Sequence, residues 1–402
     1  MLPYGRQSIS EQDIENVVRV LRSDFLTSGP EVEKFEVEFA EMVGARHAVA
    51  VCNATAALHL AMRVLGVGRG DRVITSPNTF LASANAAIYV GATPDFSDID
   101  GESYNLSADL LEENWLPDTK AVVAVDYAGL PCNMPEIARV ARSRGAYVIE
   151  DACHGTGGGF IAGEREWKLG GHPWADITTF SFHPVKTMTT GEGGVLVTDN
   201  EEWAKQARLL RSHGITRDSA DFVGFTDAGD QTNDDLPSGL NEIGPWCYEM
   251  QELGYNYRIT DLQCALGRSQ LARLPEFIQR RRQIVARYNE AFSDLNWLTP
   301  PPRPELSQEL VSWHLYTVLI DFGKIGKTRS EVMQELRSLG VGSQVLYIPV
   351  HLQPYYRTTY GYGVGKCPVA EGFYLKALSL PLFPEMTAGD VEHVIESVCG
   401  LG

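Results

Sequence analysis

Apolar residues recur at helical spacing just inside the amino end of the chain. Ile14, Val17, Val18 and Leu21 follow Ser10, a candidate N-cap with Asp13 three residues later. This pattern predicts a helix from about Ser10 to Leu21, broken by D-F-L-T-S-G-P, and a second helix from about Val32 to Met42. The period then shortens. H-A-V-A-V-C reads as a buried strand, and N-A-T-A-A-L-H-L-A-M-R-V-L as the helix after it. Strand followed directly by helix recurs in D-R-V-I-T-S-P with T-F-L-A-S-A-N-A-A-I, and in A-V-V-A-V-D with M-P-E-I-A-R-V-A-R. Such alternation predicts an α/β fold, with a mostly parallel sheet covered by helices on both faces.

The stretch from Ile177 to Thr198 breaks that rhythm. I-T-T-F-S-F-H-P-V-K-T-M-T-T-G-E-G-G-V-L-V-T reads as a strand, a turn carrying Pro184 and Lys186, a glycine-rich bend and a second strand. Farther on, the segment from Asp218 to Glu242 is acidic and aperiodic, and reads as a long surface loop, either a lid or an insertion. G-Y-N-Y-R-I-T-D then opens a long helical region to about Phe292. Its basic triplet at 280–282 reads as a solvated or interface face. After the break T-P-P-P-R-P, the remainder reads as a smaller α+β domain. There is no internal repeat.

Composition narrows the function classes. The 402 residues suffice for two domains and a large core, and a hydrophobic content of 44% with 21% charged residues is that of an ordinary globular protein. The formal net charge of −18 argues against nucleic acid or an anionic membrane as a partner. Any phosphate must be met locally, by backbone N–H groups and a few arginines. The seven cysteines are scattered without a C-x-x-C pair, which disfavours zinc and disulfide frameworks and fits a reducing cytoplasm. The amino end lacks an apolar core of signal-peptide length, and no span suits a bilayer.

Candidate chemistry lies at the carboxyl ends of the predicted strands, where open α/β sheets bind ligands. Lys186 has apolar or small neighbours on both sides; desolvation would make it a usable amine nucleophile, although a lone lysine is more often a solvated charge. Thr55 and Ala56 begin a helix whose free N–H groups would cradle phosphate, with a plain N-cap at Asn53 or Thr55 as the rival reading. Phe80 is either a stacking face or core. Asp151 ends a strand with His154 three residues on, which suits a fixed partner for a protonated ring nitrogen; a surface acid is the plainer alternative. Glu150 should face the other way. Ser181 lies close enough to Lys186 to reach the same phosphate. Each feature is weak alone; together they form the kit for pyridoxal 5′-phosphate. A G-x-G-x-x-G dinucleotide fingerprint is missing.

The ordered set N-A-T-A-A-L-H-L-A-M, P-N-T-F-L-A-S-A-N-A, V-D-Y-A-G, E-D-A-C-H, S-F-H-P-V-K-T-M-T-T-G-E-G-G, R-S-H-G and G-Y-N-Y-R-I-T-D resembles the pyridoxal-phosphate sugar aminotransferase family often called DegT/DnrJ/EryC, from Tyr4 to about Leu382. The resemblance implies an aspartate-aminotransferase-like fold of type I. Its large domain would span 15–255 and a small C-terminal domain 256–402, joined by residues 1–14. It implies that Lys186 holds the cofactor covalently and shuttles the proton, that Asp151 pairs with the pyridine nitrogen and that Phe80 stacks on the ring. Thr55, Ala56 and Ser181 would form the phosphate cup, with His154 near the cofactor's O3′ oxygen. Asn256 would come from the neighbouring subunit of a homodimer with shared sites. Tyr4, Thr27, Arg258, His314 and Tyr316 would line a nucleotide-sugar pocket, with Tyr347 and His351 as further candidates and Arg258 or Arg217 meeting the diphosphate. The segments H-P-V-K-T-M-T-T-G-E-G-G, W-H-L-Y and Q-V-L-Y-I-P-V-H-L-Q-P-Y-Y are most similar to the pseudaminic-acid branch. Those enzymes move the amino group of L-glutamate to C4 of a UDP-linked 4-keto-6-deoxy-N-acetylhexose. Histidine in place of Lys186 would have implied a dehydratase instead. Two departures stand out: the long acidic segment, and Ala54 where many relatives carry glycine.

Overall fold

A computed structural model describes residues 1–223, 244–303 and 308–402. Strands β1 (His47–Val51), β2 (Arg72–Thr75), β3 (Thr93–Phe96), β4 (Thr119–Val125) and β5 (Tyr147–Asp151) are followed by a hairpin, β6 (Gly159–Ala162) and β7 (Arg165–Lys168), and then by β8 (Ile177–Ser181) and β9 (Gly194–Thr198). The main sheet has the order β1-β9-β8-β5-β4-β2-β3. Pairing is parallel from β8 through β3, and β9 runs antiparallel to both its neighbours.

Helices α1 (Glu11–Leu21), α2 (Pro30–Val43), α3 (Ala54–Val64), α4 (Leu81–Tyr89), α5 (Ala108–Glu113), α6 (Met134–Arg142), α7 (Glu201–Arg211) and α8 (Asp261–Phe292) surround the sheet. The predicted cap of α1 forms as a capping box: Asp13 N–H donates to Ser10 Oγ at 3.2 Å, and Ser10 N–H to Asp13 Oδ2 at 2.8 Å. Alternation along each strand separates two apolar layers. In β5, Val148 joins a core with α2, α6 and the first half of α8, whereas Ile149 joins one with α3, α4 and α7. The same alternation turns Glu150 and Asp151 to opposite faces. Glu150 is buried among the Thr178 hydroxyl at 2.9 Å, the Gly170 N–H at 3.0 Å and His172 Nε2 at 2.8 Å.

The small domain packs the second half of α8 (Ile284, Val285, Tyr288, Phe292) on a three-stranded sheet formed by Leu298–Thr299, Tyr316–Ile320 and Ala377–Leu380. The amino-terminal arm is tied to this domain, since Leu2 N–H donates to Gly340 O at 2.8 Å and Leu382 N–H to Tyr4 O at 3.1 Å. The arm thereby delivers Tyr4 to the cleft between the two cores.

One surface expectation is corrected. Arg281 of the basic triplet is not solvated but fully buried, with Nη1 donating to the carbonyls of Trp313, His314 and Leu382. It ties α8 to the segments that carry His314 and follow the last strand, and polarity alone does not reveal an arginine directed at buried carbonyls. The acidic loop expected at Asp218–Glu242 lies, from 224 onward, outside the described residues.

Candidate active site

The carboxyl ends of β5 and β8, the turn into α3 and the amino-terminal arm enclose a cavity of about 480 Å³. Its lining includes Tyr4, Thr55, Phe80, Asp151, His154, Ser181, Lys186 and Tyr347. Lys186 sits in the turn between β8 and β9, fastened by its own N–H to His183 O at 2.9 Å. Thr187 to Thr190 behind it are buried, so the side chain is half-buried and reaches the cleft rather than bulk solvent. Burial lowers the amine from its ordinary range, while the nearby Cys153 and Asp151 partly offset that shift.

Asp151, 5% exposed, is held from two sides. The Ser83 hydroxyl donates to Oδ2 at 2.7 Å, and Cys153 N–H donates to Oδ1 at 3.2 Å. Ser83 in turn shares a 2.7 Å hydrogen bond with Thr79. These partners come from the first turn of α4 and the segment before it, and sequence reading missed them. The available signal was the helical spacing of Ser83 from Phe80, which puts both on the turn facing the strand ends. Phe80 is 57% exposed, so it is not core, and its ring lies 6.1 Å from that of Tyr347.

The start of α3 meets the cavity one residue earlier than expected. Asn53 Oδ1 accepts from Ala56 N–H at 2.9 Å, so this donor is already occupied; Ala56 is buried behind the cavity wall. Ala54 and Thr55, the first helical residues, line the cavity instead, and their N–H groups have no partner within the helix. The Asn53 N-cap therefore forms, and the N–H groups left over at the start of α3, those of Ala54 and Thr55, are the ones that border the cavity. Ser181 lies beside them at the end of β8.

On the opposite wall, His154 Nε2 is 3.1 Å from the Tyr347 hydroxyl and its ring is 4.5 Å from that of His314. Burial and then the Lys186 charge hold both imidazoles well below their usual pKa, so both are neutral.

Other expected pocket residues lie elsewhere in the single chain. Tyr316 is a correction: it is fully buried in the small-domain core, with its hydroxyl on Asn289 Oδ1 at 2.9 Å. Strand alternation explains this, because Tyr316 points into the apolar layer where Tyr288 packs 4.9 Å away. His351 is buried against Glu371 at 2.9 Å and does not line the cleft. Thr27, Asn256 and Arg258 do not line this cavity; isolated bridges pair them with Thr260, Ser212 and Val51 respectively. Arg258 lines a separate recess with Arg46, Arg208 and Arg211. Arg217 lies over the Tyr248 ring, 5.8 Å from its centre.

The cleft fits pyridoxal phosphate. A Cβ on Gly194 would lie 2.6 Å from Ala54 N, so only glycine leaves the start of α3 its place at the mouth of the cavity. The helix terminus, hydroxyls, anchored carboxylate and depressed lysine all border one space of cofactor size. Among the described residues no cluster of His, Cys, Asp or Glu could hold a metal, and no helix is long and apolar enough to cross a membrane.

The sequence matches the DegT/DnrJ/EryC1/StrS aminotransferase family over residues 7–399. It is 40% identical, over 398 residues, to the Bacillus subtilis spore coat polysaccharide biosynthesis protein SpsC, covering 99% of this chain and 96% of that protein. Among solved structures, Helicobacter pylori PseC, an aminotransferase involved in the biosynthesis of pseudoaminic acid, is similar with a TM-score of 0.86 at 27% identity, covering 100% of this chain and 98% of PseC. Spr1654 of Streptococcus pneumoniae, solved in PMP, PLP and apo forms, gives 0.87 for the PMP form at 29% identity, with 100% and 99% coverage. With a family match that spans nearly the whole chain, and with the amine, the acid and the helix terminus meeting in one cleft, the chain belongs to the DegT/DnrJ/EryC1/StrS family of pyridoxal-phosphate-dependent sugar aminotransferases.

Proposed function

We propose that the chain moves the amino group of L-glutamate to C4 of a UDP-linked 4-keto-6-deoxy-N-acetylhexose, the amination expected in pseudaminic acid biosynthesis. The observation that carries the amino-transfer chemistry is a half-buried, acidified Lys186 sharing one cleft with Asp151. Likeness to PseC along the whole chain supports the sugar class. Amination of another nucleotide-linked keto sugar is the second reading, favoured by the higher identity to SpsC.

Bound pyridoxal phosphate supplies an electrophilic carbon and a ring that accepts electrons from the carbon being deprotonated. The chain's residues divide the remaining work. The Ala54 and Thr55 N–H groups, with the Thr55 and Ser181 hydroxyls, would hold the phosphate at the positive end of α3. Asp151, kept in orientation by Ser83 and the Cys153 N–H, would retain the proton on the ring nitrogen. Phe80 would cover one face of the ring. Lys186 Nζ releases its proton more readily than a surface lysine, so it serves as the base and then the acid at the reacting carbon.

Asn256 is exposed, and Arg258 makes a single side-chain hydrogen bond among the described residues, at 3.3 Å to Ser212. In a homodimer a second copy would bring them to its partner's cleft, where Arg258, or less directly Arg217, meets the sugar's diphosphate. The test is product identification after incubating holoenzyme with glutamate and a panel of UDP- and dTDP-linked keto sugars. Amination at C4 of the UDP-linked N-acetyl sugar supports the reading; turnover confined to other sugars or to C3 overturns it.

A further inference from the structure

Tyr347 enters the cleft beside Lys186, and the direction of its hydrogen bond can be worked out from the far end of a short chain of contacts. In the turn after β4, Ala128 has φ +60°, a left-handed conformation uncommon for a residue with a Cβ. It is held there from the small domain. His314 N–H donates to Ala128 O at 2.9 Å, and Gly129 packs so tightly that a Cβ would lie 1.9 Å from Ser312 O. The turn thereby aims Ala128 N–H at His154 Nδ1, 3.2 Å away.

A backbone N–H can only donate, so Nδ1 is a lone pair and the proton of the neutral ring sits on Nε2. Nε2 lies 3.1 Å from the Tyr347 oxygen, which therefore accepts. Burial pushes the Tyr347 phenol well above its usual pKa, so it keeps its own proton. That hydroxyl has no other hydrogen bond among the described residues, and its proton is left to donate into the cleft.

We propose that Tyr347 is a one-way hydrogen-bond donor to an acceptor oxygen of the bound ligand, with His154 as the positioning residue that sets its direction. This inference rests on the sugar-aminotransferase reading, which brings two such oxygens: the phenolic oxygen of the cofactor ring and the carbonyl or carboxylate oxygen of a substrate. A free hydroxyl can donate or accept as the ligand demands. Tyr347, with its acceptor side filled by His154, favours oxygen over an N–H group at that point.

The experiment compares Tyr347→Phe with wild-type holoenzyme, by pH titration of the resting cofactor's visible absorption and by single-turnover half-reactions with glutamate and with the keto sugar. Donation to the cofactor oxygen predicts an upward shift of the titration midpoint by about one pH unit, because loss of a donor disfavours the more anionic form. Donation to a substrate oxygen predicts an unchanged titration and one half-reaction slowed about tenfold. Either result supports the inference; wild-type behaviour in both measurements overturns it. His154→Leu should reproduce the Tyr347→Phe change, and His154→Gln, which keeps an N–H donor, should restore most of it. If His154→Leu changes nothing that Tyr347→Phe changes, the positioning role is wrong. A wild-type protein that takes up no cofactor colour would instead overturn the cofactor reading itself.

Discussion

Gly194 and Ala54 touch backbone to backbone: a Cβ built on Gly194 would meet Ala54 N at 2.6 Å and Asn53 C at 2.6 Å. The first residue of β9 therefore sets where the helix that begins at Ala54 can start. This contact couples the lysine turn, which ends at β9, to the phosphate end of the cleft. Gly194→Ala must displace backbone, since no flexible side chain is available to yield. Cofactor affinity should fall at least about tenfold, with a thermal midpoint several degrees lower. A fluorescence titration with pyridoxal phosphate checks the first, and an unchanged affinity would mean that the cradle lies elsewhere.

Lys186→Ala should abolish the yellow colour of the purified protein and reduce turnover by about 10³-fold or more. The side chain lines the cleft and is not part of an apolar core, so alanine there enlarges the cavity without emptying a core position. The fold and the elution volume on size exclusion should be retained. Full activity in this variant would remove the basis for the assigned chemistry.

Ser83→Ala leaves Asp151 Oδ2 without the hydroxyl that donates to it at 2.7 Å. A hydrogen bond to a charged group contributes about 1.5–3 kcal/mol, so the glutamate half-reaction should slow by about 10- to 100-fold. Ser83→Thr, which keeps the hydroxyl, should recover much of the rate. Stopped-flow measurement of the cofactor's absorption change gives both numbers, and equal rates in all three proteins would show that Asp151 needs no such anchor.

Acid should destabilise the protein through its buried histidines. His59 packs 4.8 Å from the Tyr255 ring and bonds to the Tyr257 hydroxyl at 3.0 Å; burial first, and then the Arg63 charge, pull its pKa down to about 4. The unfolded chain, with an ordinary histidine near pKa ~6.5, then binds the proton more readily than the folded chain. The stabilisation is complete above about pH 6.5 and is lost progressively as the pH falls toward the folded value. At pH 5 this one residue would cost about 2 kcal/mol. His154 and His314, also lowered, act in the same direction. Urea midpoints at pH 7.5 and 5 measure the effect, and His59→Gln should show the smaller drop; an identical drop would exclude His59.

Much of this was legible in the chain. Alternating strand and helix patterns predicted the parallel sheet, because period and burial are local consequences of side-chain polarity. The placement of Asp151 against Glu150 followed from the two-residue repeat of a strand; side-chain chemistry narrowed the N-cap to Asn53 or Thr55, and the structure has Asn53. Lys186, Thr55, Phe80 and Ser181 were read at the carboxyl ends of predicted strands or in the turns that follow them, and all four line one cavity.

Sequence could not decide which candidates converge, because convergence depends on contacts between segments far apart in the chain. Whether Tyr316 faced the cleft or the core depended on the register of a strand whose neighbours are residues 377–380, and it faces the core. Arg281 looked like a surface charge until three carbonyls from distant segments were seen around it. The anchor of Asp151 on Ser83, 68 residues earlier, and the fixed tautomer of His154 are likewise products of packing. Local polarity specified the elements and their faces, and only the close approach of those faces determined which donors found which acceptors.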